Sequence, residues 1–145
     1  MDDRRWLELA CQLATLCPPS DTAFSVGAVL VGPDGSELSR GFSREDDPTV
    51  HAEESALEKL HHETSLTGST MYSSLEPCAK RSSRLVPCST LIIQTQIPRV
   101  VFAWREPDLF ADCDGVELLK AAGIEVVELP GFEAMAKKPN RHLLK

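Results

Sequence analysis

No run of apolar residues in the 145-residue sequence approaches the length needed to span a bilayer. The first residues, MDDRRWLELACQL, also lack the apolar core and the small-residue cleavage site of a secretory signal peptide. We therefore expect no membrane-spanning segment and a cytoplasmic location. The length suits one hydrophobic core, which predicts a single domain over residues 1–145.

The sequence also has fewer basic than acidic residues. The sequence has 15 Lys and Arg against 22 Asp and Glu, which gives a net charge of −7. A protein whose main task is to bind a nucleic-acid backbone usually presents a basic face. Nucleic acid is therefore not the partner that this composition predicts, and the acidic surface more often serves solubility.

Disulfide bonds are a third feature that we do not expect. The chain has five cysteines, and disulfides are rare in the reducing cytoplasm. Cys11 lies in an apolar helical stretch and is most simply a small core residue. Cys78 and Cys88 differ, because each directly follows a proline and stands near the start of a predicted element.

Hydrophobic periodicity and turn residues predict an initial hairpin followed by strands that alternate with helices. Residues 88–96 suit either a buried strand or a helix. The pattern favours an α/β class and a three-layer α/β/α fold with a central mixed β-sheet of about five strands. The predicted helices cover residues 5–16, 51–62, 115–122 and 132–138, and the predicted strands cover 26–31, 38–42, 70–74, 99–103 and 124–129.

Three residues of types suited to zinc, His51, Cys78 and Cys88, stand near the starts of predicted elements. Three protein ligands leave one position for water, which is the catalytic arrangement. Glu53 supplies a base that can move a proton. Residues 51 and 53 of one helix point about 200° apart, so we expect the end of this helix, rather than its flank, to face the site.

Simpler interpretations of these residues stay open. A His-x-Glu triplet is common at a solvated helix start, and Cys78 and Cys88 are equally compatible with two inert buried thiols. The combination of a hairpin, His-Ala-Glu at a helix start, Glu-Pro-Cys after a strand and a second Pro-Cys favours a metal site.

At these residues the sequence resembles the zinc-dependent cytidine deaminase superfamily, whose signature is H-x-E followed by P-C-x-x-C. The matching segments are 51-HAE-53, 76-EPC-78 and 87-PC-88. Nine residues, AKRSSRLVP, separate the two cysteines. This long spacer resembles the riboflavin-pathway pyrimidine deaminase branch.

The resemblance extends over nearly the whole chain. It includes AFSVGAVLV at 23–31, MYSSLEPC at 71–78, the region 106–129 and the tail PNRHLLK. The reductase domain that is often fused after such deaminases is not part of the sequence, so we expect a standalone deaminase domain.

The resemblance implies the cytidine-deaminase-like fold and hydrolytic deamination of a small aminated base, nucleoside or nucleotide. Zn²⁺ would be held by His51, Cys78 and Cys88 and would activate water. Glu53 would be the catalytic residue that passes a proton to the ring nitrogen and then to the leaving ammonia. A homodimer or homotetramer is also implied.

Three further residues resemble substrate-contacting positions of this family: Ala23, Phe24 and Ser43. The family usually has Asn-Pro at the first two positions and histidine or asparagine at the third. These departures predict that another aminated base is preferred over the diaminopyrimidine of riboflavin synthesis. Phe24 would supply an apolar or stacking wall of the pocket, although the residue type favours a place in the core.

The loop 79–87 contains three basic residues within five positions, Lys80, Arg81 and Arg84. In the riboflavin enzymes that the sequence resembles, this loop lies near the phosphate of the substrate. We therefore expect these residues to bind a 5′-phosphate, although a solvated loop would have the same composition.

Two other functions are compatible with the sequence. The segment 47-DPTVH-51 resembles the tRNA adenosine deaminase branch, and a guanine-type deaminase belongs to the same alternative. The two-residue cysteine spacer and the strongly basic tail of that branch are missing. The other alternative, a non-catalytic zinc-stabilised binding module, has no need of Glu53.

Overall fold

The computed structural model describes residues 2–60, 64–77, 88–105 and 115–144. None of the helices in these ranges is long and apolar enough to cross a membrane. The strands are β1 (Gly27–Val31), β2 (Glu37–Phe42), β3 (Thr70–Ser73), β4 (Arg99–Phe102) and β5 (Glu125–Glu128). The helices are α1 (Asp3–Ala14), α2 (Ala52–Glu58), α3 (Cys88–Gln94), α4 (Gly115–Ala121) and α5 (Glu133–Lys137), followed by a 3₁₀ helix, Lys138–Leu143.

The strands form one mixed sheet in the order β2-β1-β3-β4-β5. The first three strands in this order pair antiparallel, whereas β3, β4 and β5 pair in parallel. The mixed five-stranded sheet predicted from the sequence is therefore confirmed. The ambiguous segment after residue 88 is a helix, because it connects two parallel neighbouring strands and such a connection must cross over one face of the sheet.

Helices cover both faces of the sheet. On one face α1 packs against β1 and β3 and contacts α5. On the other face α2 packs against β2 and β1 and contacts α3, which in turn contacts α4. The three-layer α/β/α prediction is thus confirmed. The largest fully buried side chains come mainly from the central strands and include Tyr72, Phe102, Leu30, Met71, Val29 and Val101.

Two glycines allow α1 and α2 to lie close to the sheet. A Cβ atom on Gly27 would stand 1.9 Å from the carbonyl oxygen of Ala10 in α1. A Cβ atom on Gly41 would stand 2.7 Å from the carbonyl oxygen of Ala52 in α2. Gly41 pairs with Ala28, the neighbour of Gly27, so the two glycines face opposite helices. Each helix therefore contacts the backbone of the sheet directly.

Four segments leave or enter the sheet at the same end, because Gly27 pairs with Phe42, and Ser73 pairs with Ala28 and Phe102. We call this the Ser73 end of the sheet. It carries residues 23–26, 43–51, 74–77 and 103–105. Loops and helix starts at this end are therefore the places where distant parts of the sequence meet.

We predict that Gly41→Ala destabilises the fold by about 1–3 kcal/mol or more, because the added methyl group would overlap the backbone of α2. Denaturant unfolding of the two proteins measures this difference. Gly32→Ala is the matched control, since its Cβ atom would stand 3.3 Å from the Asp34 side chain, which can shift. An equal loss of stability in both variants would contradict the explanation by close approach.

Candidate active site

His51 stands at the N-cap of α2, not inside the helix. Its backbone is extended, with φ −92° and ψ 161°. The N–H of His51 donates to Oε1 of Glu54 at 3.2 Å, and the His51 carbonyl accepts from the N–H of Ser55 at 2.9 Å. The helix start predicted near residue 51 is correct to within one residue. The angle of about 200° expected between the side chains of residues 51 and 53 does not apply, because His51 precedes the helix and only Glu53 has helical geometry.

Glu53 lies in the first turn of α2 and is 4% exposed. A carboxylate is seldom buried to this degree unless it serves a specific contact, because removing its charge from water is costly. The burial excludes the interpretation of Glu53 as part of a solvated helix start. The following residue, Glu54, is 8% exposed and holds the backbone of His51 as described above.

Cys88 is the first residue of α3 and is completely buried. Its Sγ atom lies 3.3 Å from Nδ1 of His51. A nitrogen and a sulfur ligand of one tetrahedral zinc ion are separated by about 3.6 Å, given the usual bond lengths. The two side chains that the sequence pairs as ligands are therefore brought together at a distance that fits a shared zinc ion.

Cys78 lies outside the described residues, but the chain that leads to it is fixed. The Pro77 carbonyl accepts a hydrogen bond from Oγ of Ser89 at 3.2 Å. The N–H of Glu76 donates to the Trp104 carbonyl at 3.0 Å. The residue that precedes Cys78 therefore contacts the residue that follows Cys88.

Besides the backbone hydrogen bond to Trp104, Glu76 makes a second contact through its buried carboxylate. Its Oε2 atom accepts the N–H of Val116 at 3.0 Å, which ties the start of α4 to the end of β3. Glu54, Glu76 and Ser89 are not among the functional residues predicted from the sequence. Glu54 carries a recognisable pattern, since a Glu three residues after the N-cap is typical of a capping box.

Cys11 differs from the two candidate ligands. It is buried in α1, and desolvation raises the pKa of its thiol to about 12. A thiol with such a pKa stays protonated and is a poor metal ligand. This behaviour agrees with the interpretation of Cys11 as a small core residue.

The three predicted substrate-contacting residues outside the basic loop all lie at the Ser73 end. Oγ of Ser43 accepts the N–H of Val26 at 2.9 Å, and Ser43 is 4% exposed. Phe24 is buried, with its ring edge-on to Trp104 at 5.7 Å between centroids. The N–H of Ala23 donates to Oγ of Ser20 at 3.1 Å. These contacts are internal to the protein, and a role in substrate binding stays a prediction for all three.

The remaining predicted residues, Lys80, Arg81 and Arg84, lie outside the described residues. Their proposed contact with a phosphate group also stays a prediction.

Comparison with a family model gives a match over residues 1–104 to the cytidine and deoxycytidylate deaminase zinc-binding region. This range contains His51, Glu53, Cys78 and Cys88. The match confirms zinc as the cofactor expected for this family.

Individual relatives agree with this match. A diaminohydroxyphosphoribosylamino-pyrimidine deaminase of Schizosaccharomyces pombe is 46% identical over 138 residues, which cover 89% of this chain and 34% of the relative. A crystal structure of Aspergillus oryzae Rib2 deaminase, a C-terminal deletion mutant, matches with a TM-score of 0.80 and 26% identity over 98% of this chain and 96% of the other. A structure of the same mutant with DARIPP matches with a TM-score of 0.79 and 25% identity, covering 98% and 96% of the two chains.

The chain spans about a third of the length of the curated relatives it matches, 34% in two of them. The similarity to the Aspergillus structures confirms the cytidine-deaminase-like fold. Together with the match over residues 1–104, it shows that the chain belongs to the cytidine and deoxycytidylate deaminase family and contains the zinc-binding region of that family.

Proposed function

We propose that the protein is a zinc-dependent hydrolytic deaminase of an aminated pyrimidine nucleotide. One observation carries this proposal. The buried carboxylate of Glu53 stands two residues after His51, whose ring lies 3.3 Å from Cys88 at the start of another helix. A structural zinc site has no use for such a carboxylate, whereas hydrolysis requires a group that moves protons.

His51, Cys78 and Cys88 would hold the zinc ion. A bound zinc ion supplies a Lewis acid that lowers the pKa of water to about 7. Support for this ligand set comes from the contact between His51 and Cys88 and from the hydrogen bond that ties the residue before Cys78 to α3.

Glu53 would carry out the proton transfers of the reaction. It would take a proton from the attacking water and donate it to the ring nitrogen, then take the second proton from the new hydroxyl group on the ring carbon and donate it to the amino group, which leaves as ammonia. The oxygen of the water replaces the amine on the ring carbon. Burial of Glu53 suits this task, because a carboxylate with little access to bulk water exchanges protons preferentially with a bound substrate.

The substrate class follows from the relatives. The Schizosaccharomyces pombe protein is named for a pyrimidine that carries amino groups and a phosphoribosylamino group, and the Aspergillus oryzae protein was solved with DARIPP. Ala23 and Ser43 lead to the opposite expectation, that another aminated base is preferred. This expectation stays a prediction, and the comparison of substrates below tests it.

Ammonia release tests the proposed function. The zinc-loaded protein is given the diaminopyrimidine ribosyl phosphate beside cytosine, guanine and adenine compounds, with and without a 5′-phosphate, and a tRNA. We expect the highest kcat/KM with the phosphorylated diaminopyrimidine. Preference for tRNA would favour the adenosine deaminase alternative, and a lack of release with every compound would favour the binding module.

The homodimer or homotetramer and the single-domain organisation stay predictions.

We predict about one zinc ion per chain and its loss in Cys88→Ala, because the variant lacks one of three ligands. Elemental analysis of proteins purified without added metal measures the zinc content. Cys11→Ala is the matched control, since its thiol belongs to the core. Full zinc retention in Cys88→Ala would contradict the assignment of this ligand.

Glu53→Gln should lower the rate of ammonia release by about 10²–10⁴-fold, because general acid–base catalysis typically contributes this factor. Zinc content should be unchanged, since the amide is isosteric and the residue is not a ligand. Glu58→Gln, at an exposed position of the same helix, should leave the rate unchanged. Normal turnover by Glu53→Gln would show that another group moves the proton.

Lys80→Ala and Arg84→Ala should each raise the KM of a phosphorylated substrate by about ten-fold or more, because a charge-assisted contact is lost. Steady-state kinetics with and without the 5′-phosphate measures this effect. Lys120→Ala, at an exposed position of α4, serves as the control. If the phosphate-free compound reacts equally well and neither variant has an effect, the phosphate contact is wrong.

A further inference from the structure

Residues 18–25, here called the 18–25 loop, are bound by the side chain of a single arginine. Nε and Nη2 of Arg44 donate to the Pro18 carbonyl at 3.1 and 2.8 Å. Nη1 donates to the Phe24 carbonyl at 3.1 Å, and Nη2 also donates to Oγ of Ser25 at 2.7 Å. The planar guanidinium therefore fastens both ends of the loop at once, which a lysine could not do.

The backbone of Arg44 connects this loop to the zinc site. Its φ angle is +60°, a conformation that residues other than glycine rarely adopt unless the surrounding contacts hold them there. The N–H of Arg44 donates to the carbonyl of Val50, the residue before His51, at 2.9 Å. One residue thus joins the 18–25 loop to the segment that positions a metal ligand.

The C-terminal 3₁₀ helix holds the same loop from the other side. Asn140 is 1% exposed, and its Oδ1 atom accepts the N–H of Ser25 at 2.6 Å. Nδ2 of Asn140 donates to the carbonyl of Ser25 at 2.9 Å. In the same 3₁₀ helix, Nε2 of His142 lies 2.7 Å from the carbonyl oxygen of Ser20. Both backbone groups of Ser25 are therefore occupied by one side chain.

The loop is also linked, through Trp104, to the segment that leads to Cys78. Phe24 packs edge-on against Trp104, and the Trp104 carbonyl accepts the N–H of Glu76. The 18–25 loop thus contacts the segment that leads to His51 and is linked through Trp104 to the segment that leads to Cys78. The three acceptors of the Arg44 guanidinium are neutral oxygens, and desolvation lowers its pKa. This partly buried cation fixes the shape of the loop through its hydrogen bonds.

We infer that Arg44 and Asn140 are positioning residues that hold the 18–25 loop as a preformed wall of the substrate pocket. The inference rests on the proposed deaminase function. A loop that is ordered before binding spares the substrate the cost of ordering it, so its main effect is on substrate affinity. Neither residue is a proposed zinc ligand or proton carrier, so the chemical step is left intact.

Arg44→Gly removes the guanidinium and keeps the backbone conformation, because glycine adopts a φ of +60° without strain. The variant therefore tests the side chain alone. We expect KM for the phosphorylated diaminopyrimidine to rise about ten-fold or more, with kcat changed by less than about three-fold and zinc content unchanged. Arg40→Ala is the matched control, since Arg40 lies in β2, four residues before Arg44, and pairs with Glu37 on the surface. This variant should keep the normal KM.

One added compound and one further variant make the test specific. Guanidinium added well below denaturing concentration should restore the KM of Arg44→Gly and leave that of Arg40→Ala unchanged. Asn140→Asp keeps the acceptor for the Ser25 N–H but loses the donors, so it should raise KM in the same direction. It replaces Arg44→Gly if that variant fails to fold.

Hydrogen exchange of the amides in the 18–25 loop supplies a readout that does not depend on turnover. We expect faster exchange there in Arg44→Gly, with α2 unaffected. Unchanged KM and exchange in both variants would overturn the inference, as would a joint loss of kcat and zinc at constant KM. If the unaltered protein releases no ammonia, the proposed function fails. Calorimetric affinity for the same nucleotide then replaces KM, and equal affinity in all the proteins overturns the inference.

Discussion

The contact between His51 and Cys88 depends on two helices that are too short to be stable by themselves. α2 and α3 each have seven residues, whereas isolated helices shorter than about 12–15 residues are marginal in water. Packing must therefore supply their stability. Gly41 lets α2 lie directly against the backbone of β2, and the Ser89 hydroxyl holds α3 to Pro77 in the segment that follows β3. His51 and Cys88, the candidate metal ligands, lie close together because each of these helices is fixed at its first turn.

The elements that the sequence predicts correctly have a local cause. The apolar periodicity of α1, the Gly-Pro-Asp-Gly turn between β1 and β2, and the glycine after α4 each act within a few residues. The segment 88–96 could not be assigned, because Leu91, Ile92 and Ile93 form an apolar run that suits a buried strand equally well. Its helical state follows from the crossover between parallel strands, which is a property of the whole sheet.

In the candidate site, too, some features are predictable from local sequence and others depend on the whole fold. His51, Glu53 and Cys88 carry a motif with recognisable residue types, so the sequence alone predicted that they belong together. Asn140 contacts Ser25, which lies 115 positions earlier in the sequence, and no local pattern predicts such a pair. The substrate contact of Ser43 stays a prediction, whereas the hydrogen bond between its hydroxyl and the backbone of Val26 is a contact that no local pattern predicts. Residue type indicates chemistry, but the destination of a polar side chain depends on the fold.

The hydrogen bonds between Asn140 and Ser25 also have a consequence for the order of events during biosynthesis. A chain emerges from the ribosome at about 5–20 residues per second, N-terminal end first. The sheet strands β1, β2 and β3 are complete long before residue 140 exists. Ser25 nevertheless keeps two unpaired backbone groups until Asn140 arrives. A nascent chain with its first three strands and Arg44 in place would thus still lack the second set of contacts that holds the 18–25 loop, and this loop would be among the last parts of the site to be held completely.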